Sequence, residues 1–163
     1  MGYSGKPVID TVRFAKERRG FVERTTSSER FVVRRSGPGR GRGLFTRVPF
    51  RKGELVIEYT GNKIPTQLAD ELDTKYLFEI DEDWTIDGSP RTNTARYINH
   101  SCKPNCESDI RDGRILIFAL RNIERGEELS MDYGDEYFDE FIKPVGCKCD
   151  SCGARRHTVP INV

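Results

Sequence analysis

The sequence has 163 residues and a mass of 18.7 kDa, enough for one domain of ordinary size with a hydrophobic core of its own. Its net charge of +1 conceals two parts of opposite sign, since residues 1–53 hold 14 Lys and Arg against 4 Asp and Glu, and the rest hold 13 against 22. No apolar run is long enough to cross a membrane and no secretory signal begins the chain, so we expect a soluble intracellular protein, in the cytoplasm or the nucleus or nucleoid, without a membrane partner.

Short predicted strands separated by glycine and proline follow a basic arm or flanking element at residues 1–28. Hydrophobic patterns predict strands at 31–35, 44–48, 54–60, 76–80, 115–120 and 128–131, with a glycine-rich turn after the first. Thr66 is a plausible cap for a helix over 66–73, in which Leu68 and Leu72 have helical spacing. One or two helical turns are expected over 136–142, ending before Pro144. These elements predict a mostly β domain with short helices.

Four of the five cysteines are arranged as ligands for one metal ion. Cys147, Cys149 and Cys152 are close enough in sequence to share an ion, and Cys102 in R-Y-I-N-H-S-C-K-P-N-C offers a fourth soft ligand. Four thiolates satisfy the tetrahedral coordination of structural zinc, and a reducing compartment keeps thiols available for it. We therefore predict one Zn²⁺ that ties the C-terminal tail to the Asn-His-Ser-Cys turn. Cys106 is predicted to be a small, semi-buried core thiol without a functional role.

A series of motifs in a fixed order resembles the SET-domain protein lysine methyltransferases over residues 31–153. They are G-R-G-L-F (41–45), E-Y-T-G (58–61), Y-L-F-E-I-D (76–81), I-D-G (86–88), the Asn-His-Ser-Cys run, G-E-E-L-S-M-D-Y-G (126–134) and the cysteine cluster, which resembles a post-SET segment. The resemblance implies a catalytic core at 29–134 and a zinc-binding tail at 135–163, without a pre-SET cluster. It implies a SET-like fold of small curved sheets, in which a threaded C-terminal segment brings the Asp-Tyr corner to the Asn-His run.

The resemblance also implies an activity, the transfer of a methyl group from S-adenosylmethionine to a lysine side chain of a protein. It assigns cofactor binding to Gly41, Arg42, Gly43, Tyr76, Asn99 and His100. Tyr133 would orient the lysine amine, and Tyr59 would form part of the same channel wall. Met131 stands where the family commonly has Phe or Tyr and where the number of added methyl groups is controlled. Because Met131 has no hydroxyl and an adaptable chain, we expect di- or trimethylation.

Other interpretations remain open at this point. A catalytically silent zinc-binding module that recognises basic peptides would have the same fold without the reaction. The basic arm could make an accessory contact with nucleic acid, although its arginines are interleaved with glutamates. The acidic remainder could attract a lysine-rich, locally unstructured substrate, such as a histone or another basic protein, or could only keep the surface soluble. With two histidines in the chain, a histidine-rich catalytic metal site is excluded.

Overall fold

Three small sheets and very little helix form the part of the chain, residues 27–152, that a computed structural model describes. The predicted basic arm lies outside the described residues except for its last two. In chain order the strands are β1 Phe31–Arg35, β2 Arg42–Thr46, β3 Leu55–Tyr59, β4 Asn62–Pro65, β5 Leu77–Glu79, β6 Trp84–Asp87, β7 Asn99–His100, β8 Cys106–Arg111, β9 Arg114–Ala119 and β10 Ser130–Met131. The prediction of a mostly β domain with short helices is confirmed.

The sheets have two, five and three strands. β1 and β2 form an antiparallel hairpin around the glycine-rich turn, and β4, β6 and β5 form an antiparallel sheet in that order. The central sheet has the order β3-β9-β8-β10-β7. Its β9 alternates between buried and less buried residues, and Ile115 and Ile117 are among the most deeply buried side chains described. Each such side chain contributes about 1.5–3 kcal/mol through removal from water.

β10 lies between two strands that precede it in the chain, and it runs parallel to both. Ser130 pairs with Asn99, and Met131 pairs with His100 on one side and with Cys106 on the other. The buried Asn105 fixes this insertion, because its Nδ2 donates to the carbonyl of Glu128 at 2.8 Å and its Oδ1 accepts the N–H of Ser130 at 2.8 Å. The expected meeting of the Asn-His run with the segment that leads to the Asp-Tyr corner is therefore confirmed.

Cys106 faces the core beside this insertion. The side chain is completely buried, whereas a semi-buried core thiol was predicted, and burial raises its pKa to about 12. A thiol with so high a pKa stays protonated and behaves as a small apolar side chain. Its packing role explains why the fifth cysteine stands apart from the other four.

The helix predicted over 66–73 is wrong in both extent and cap. Only α2, Thr66–Ala69, forms, and Pro65 occupies the N-cap position. The hydroxyl oxygen of Thr66 lies 3.1 Å from that of Thr85 in β6, so it links two segments instead of capping the helix. Leu68 and Leu72, at 47% and 40% exposure, lack the buried contacts that would extend the helix.

The helical segment of the tail continues further than predicted. After α1 Ser27–Arg30 and α2, the third short helix α3 Asp135–Tyr137 leads into a π-helical turn at Phe138–Ile142 and a 3-10 turn at Lys143–Val145. Pro144 lies in the first turn of that last element, where its missing N–H costs no hydrogen bond. No helix within 27–152 is long and apolar enough to cross a membrane.

Candidate active site and metal-ligand cluster

One cavity of about 1120 Å³ brings together segments that are far apart in the sequence. Its walls come from residues 39–42 of the glycine-rich turn, residues 75–79 at β5, residues 95–100 at β7, and residues 131–149 of β10 and the tail. Eight of the nine residues predicted for catalysis, cofactor binding or product control line it, namely Gly41, Arg42, Tyr59, Tyr76, Asn99, His100, Met131 and Tyr133. The volume lies just above the usual range for small-molecule sites, about 300–1,000 Å³.

The ninth residue, Gly43, supports the cavity from behind. It is buried, and a Cβ at this position would overlap the carboxylate of Glu128 and approach the Nδ2 of Asn99 to 3.1 Å. Gly41 has a φ of +69°, which favours glycine, and the space beside it is open. The two glycines thus have different roles, since one allows close packing and the other allows the turn of the backbone at the cavity.

The side chain of Asn99 is held in one orientation by two acceptors. Its Nδ2 donates to the carbonyl of Arg42 at 3.1 Å and to Oε1 of Glu128 at 2.8 Å. The Glu128 carboxylate also accepts the hydroxyl of Ser36, at 2.6 Å and 2.8 Å to its two oxygens. Glu128 was not predicted as a functional residue, although it stands in the G-E-E-L motif. The Glu128 carboxylate therefore links Ser36, next to the glycine-rich turn, to Asn99 in β7 through hydrogen bonds.

Two tyrosine hydroxyls in the cavity donate to backbone carbonyls. The hydroxyl of Tyr133 donates to the carbonyl of Ile98 at 2.6 Å, and that of Tyr59 donates to the carbonyl of Tyr76 at 2.9 Å. Burial raises the pKa of both phenols well above the ordinary value, so both stay protonated at physiological pH. With each proton directed at a carbonyl, each oxygen can accept a hydrogen bond from a donor in the cavity.

A series of aromatic rings extends from Tyr133 into the tail. Tyr137 meets Tyr133 edge to face at a centroid distance of 4.9 Å, and Phe141 contacts Tyr137 at 4.8 Å. Phe138 packs against His100 at 5.4 Å. Tyr137 and Phe141 also line the cavity, so the tail supplies part of its wall. These contacts were not predicted, although the aromatic residues at 133, 137 and 141 have the four-residue spacing of neighbours on one helix face.

His100 connects the cavity with the cysteine cluster. Its Nδ1 accepts the backbone N–H of Tyr133 at 3.3 Å, and its Nε2 lies 3.4 Å from Sγ of Cys102. Burial lowers the pKa of the imidazole, which favours the neutral ring with its proton on Nε2. Both ring nitrogens are therefore engaged in fixing the turn, which argues against His100 as a general base.

The four predicted metal ligands lie together. The sulfur atoms of Cys102, Cys147, Cys149 and Cys152 are all within 4.8 Å of one another, with Cys102 at 3.8 Å from Cys147 and 3.6 Å from Cys152. Sulfurs bound at 2.3 Å around a tetrahedral zinc ion would be about 3.8 Å apart. The arrangement therefore fits one metal ion with four thiolate ligands.

The four thiols of the cluster influence one another's ionisation. Burial raises the pKa of Cys149, but hydrogen bonds from Ser151 and from the backbone of Cys102 and Cys152 outweigh it and lower the pKa to about 5. Burial and the neighbouring thiols raise the pKa of Cys102, and burial raises that of Cys147. A divalent cation at the centre of the cluster would stabilise all four side chains as thiolates.

Comparison with known proteins assigns the chain to a family. Residues 41–134, more than half of the chain, match the SET domain, and the chain belongs to the SET-domain family. It is 41% identical over 129 residues to histone-lysine N-methyltransferase trithorax of Drosophila virilis, and this alignment covers 72% of this chain and 3% of the relative. It is 42% identical over 126 residues to a histone-lysine N-methyltransferase, H3 lysine-4 specific, of Emericella nidulans, and this alignment covers 69% of this chain and 10% of the relative.

A human relative extends the match along the chain. Histone-lysine N-methyltransferase 2B of Homo sapiens is 41% identical over 143 residues, which is 80% of this chain and 5% of the relative. The chain thus spans a tenth or less of the length of these three relatives. Most of each relative lies outside the match.

Proposed function

We propose that this chain is the catalytic domain of a protein lysine methyltransferase that takes the methyl group from S-adenosylmethionine. The observation that carries the proposal is the single cavity in which the Asn99 amide, the Tyr59 and Tyr133 hydroxyls and the glycine-rich turn meet. The division into a core at 29–134 and a zinc-binding tail at 135–163 is part of this proposal. The tail would complete the cavity with Tyr137 and Phe141 while its cysteines hold Zn²⁺.

The proposed substrate is a lysine in a basic, locally unstructured protein segment, and a histone tail is the first candidate. The relatives are named as histone-lysine methyltransferases, and the Emericella nidulans protein is named as specific for lysine 4 of histone H3. The acidic balance of residues 54–163 agrees with a basic partner. Such a substrate would place the protein at chromatin, and nucleic acid would be at most an accessory contact of the basic arm.

The cavity residues account for how an amine could be aligned for transfer. S-adenosylmethionine supplies a methyl group activated by the positive sulfonium, and the chain must present a neutral amine in line with the bond to sulfur. Free lysine is protonated near neutral pH, but a cavity that excludes water favours loss of that proton. The oxygens of Tyr133 and Tyr59 would accept N–H groups of the amine and direct its lone pair, while their rings surround it. Alignment of this kind supplies most of the rate advantage.

The test is incubation of the protein with isotope-labelled S-adenosylmethionine and either core histones or histone H3 tail peptides, followed by mass spectrometry of the modified residue. We expect label on a lysine, and loss of label when that lysine is replaced by arginine. Binding of basic peptides without any transfer, by protein that carries zinc and binds the cofactor, would contradict the proposal and favour the catalytically silent module.

Replacement of Asn99 by alanine should weaken cofactor binding about tenfold or more, because an oriented amide in the cavity wall is lost. Glu128→Gln should have a smaller effect of the same sign, because it keeps the shape but weakens the hydrogen bond that orients Asn99. The measurement is the Kd for S-adenosylmethionine by isothermal titration calorimetry. The exposed Asn122→Ala, which lies away from the cavity, serves as the control. An unchanged Kd in Asn99→Ala would remove Asn99 from the cofactor site.

Met131→Tyr should shift the product toward monomethyl-lysine, whereas the parent should form di- or trimethyl-lysine. Met131 is buried at the cavity wall beside His100, where a phenol could hold a water that crowds the methylated amine. The measurement is mass spectrometry of the product after long reaction times. Met131→Leu, which adds no hydroxyl, should keep the product distribution of the parent. Exclusively monomethyl-lysine from the parent would contradict the prediction, and Tyr137 would then be the neighbouring hydroxyl to remove.

A further inference from the structure

An ion pair joins the glycine-rich turn to the tail across 110 residues of sequence. Nη1 of Arg40 donates to Oδ2 of Asp150 at 3.1 Å, and Nη2 lies 3.0 Å from Oδ1, so the guanidinium meets the carboxylate with two parallel contacts. Asp150 stands between the metal-ligand candidates Cys149 and Cys152, and Arg40 directly precedes Gly41. The pair therefore connects the loop that would hold the metal with the turn that borders the cavity.

The Arg40 side chain is held in place on the side of the turn. It is only 16% exposed, and its guanidinium packs over Gly37, where a Cβ would overlap it. Its Nη1 also lies 3.9 Å from Oε2 of Glu128, whose other oxygen accepts the amide of Asn99. Because the guanidinium is already ordered, the ion pair loses less side-chain entropy than an ordinary surface pair. Asp150 is 88% exposed, and solvent limits the strength of the contact.

A second contact between the same two segments lies beside the ion pair. Lys148, between Cys147 and Cys149, packs against Gly39, where a Cβ would approach the Lys148 Cδ to 2.8 Å. Gly39 has a φ of +72°, so this part of the turn combines a backbone shape that favours glycine with close approach of the tail. The turn and the chelating loop therefore meet over a small surface rather than at a single pair of atoms.

We propose that Arg40 and Asp150 are positioning residues that couple metal binding in the tail to cofactor binding at the glycine-rich turn. The inference rests on the proposed function, since it takes the turn as the cofactor site. A metal ion fixes the chelating loop and with it Asp150, and Asp150 holds Arg40 and the backbone that leads into Gly41. Coupling between two binding sites is reciprocal, so bound cofactor should raise the affinity for metal by the same factor as bound metal raises the affinity for cofactor.

The test uses Asp150→Asn, Arg40→Gln and the double variant, each loaded with zinc. We expect each single variant to bind S-adenosylmethionine about fivefold more weakly than the parent, and the double variant to be no weaker than either, because one contact is lost in all three. In the parent, saturating cofactor should reduce the fraction of zinc that a competing colorimetric chelator takes at equilibrium. In the three variants this protection should be largely lost.

Asp139→Asn is the matched control, because Asp139 forms an exposed ion pair with Lys143 in the same tail at 2.8 Å. It should keep the cofactor affinity and the zinc protection of the parent. If Asp150→Asn lost zinc outright, Arg40→Gln would carry the test, since Arg40 lies outside the tail. Parental Kd and parental zinc protection in Arg40→Gln, or additive effects in the double variant, would overturn the coupling.

Hydrogen exchange separates failure of this inference from failure of the proposed function. Amides of residues 36–43 should exchange faster in zinc-loaded Asp150→Asn than in the parent or in Asp139→Asn, whether or not a cofactor is present. A parent that binds no S-adenosylmethionine would defeat the proposed function, and exchange at the turn would still decide whether the ion pair orders it. Equal exchange in the parent and Asp150→Asn would overturn the ion pair's role in ordering the turn.

Discussion

Replacement of Cys102 by serine should abolish stable zinc binding and release the tail from the core. Cys102 is the ligand candidate contributed by the core, while Cys147, Cys149 and Cys152 come from the tail. A serine hydroxyl stays protonated at neutral pH and is a poor zinc ligand, so we expect affinity to fall by about a hundredfold or more. The measurement is elemental analysis after gel filtration with a weak chelator, in which the parent should hold one zinc per chain.

Cys106→Ala is the control for this prediction. Cys106 is fully buried away from the cluster, so this variant should lose some stability by leaving a small cavity but should keep its zinc. Cys102→Ser should also weaken cofactor binding, because Tyr137 and Phe141 of the tail line the cavity. Zinc content in Cys102→Ser equal to that of the parent would show that the site is built from other ligands.

Strands with a strong hydrophobic pattern were predictable from the sequence, whereas strands specified by their partners were not. β9 alternates inward and outward along Ile115 and Ile117, and its prediction is confirmed to within one residue at each end. β8, Cys106–Arg111, exposes every residue after its first, so it has no period to read, and its position follows from pairing with β9. β4 and β6 were missed because each is only four residues long, too short for a clear period, and their positions follow from pairing with each other.

The helix predicted over 66–73 is also shorter than expected because tertiary contacts, and not local spacing, decide its length. Leu68 and Leu72 have the spacing of an apolar helix face, but no other element covers that face in the described part of the chain, and both side chains stay exposed. A helix this short is unstable without tertiary contacts, so spacing alone could not extend it past Ala69.

The residues that bear the chemistry were easier to predict than the residues that hold them. Tyr133, Asn99 and the four cysteines stand in motifs whose residue types already indicate their chemistry. The supports Glu128, Arg40 and Asp150 act through contacts between segments 29 to 110 residues apart in the chain. Such contacts depend on the insertion of β10 and on the approach of the tail to the glycine-rich turn, and neither leaves a periodic signal in the sequence.

Tyr133→Phe should lower the turnover number about a hundredfold while leaving the Kd for S-adenosylmethionine nearly unchanged. The substitution removes the hydroxyl that donates to the carbonyl of Ile98 and would accept from the substrate amine. The ring contacts with Tyr137 and His100 can remain, so the cavity should keep its shape. Single-turnover kinetics together with calorimetric cofactor binding would separate loss of alignment from loss of affinity.

The dependence of the reaction rate on pH gives a second test of the role of Tyr133. Because burial raises the pKa of Tyr133, its phenol stays protonated even near pH 10, the ordinary pKa of a tyrosine. The parent's rate should therefore rise with pH as the substrate amine loses its proton. Tyr133→Phe should show the same rise at a lower level. Tyr97→Phe removes a hydroxyl from the cavity wall to which no role is assigned, and it should keep the parental rate. A parental turnover number in Tyr133→Phe would exclude Tyr133 from the reaction and leave its ring as a wall of the channel.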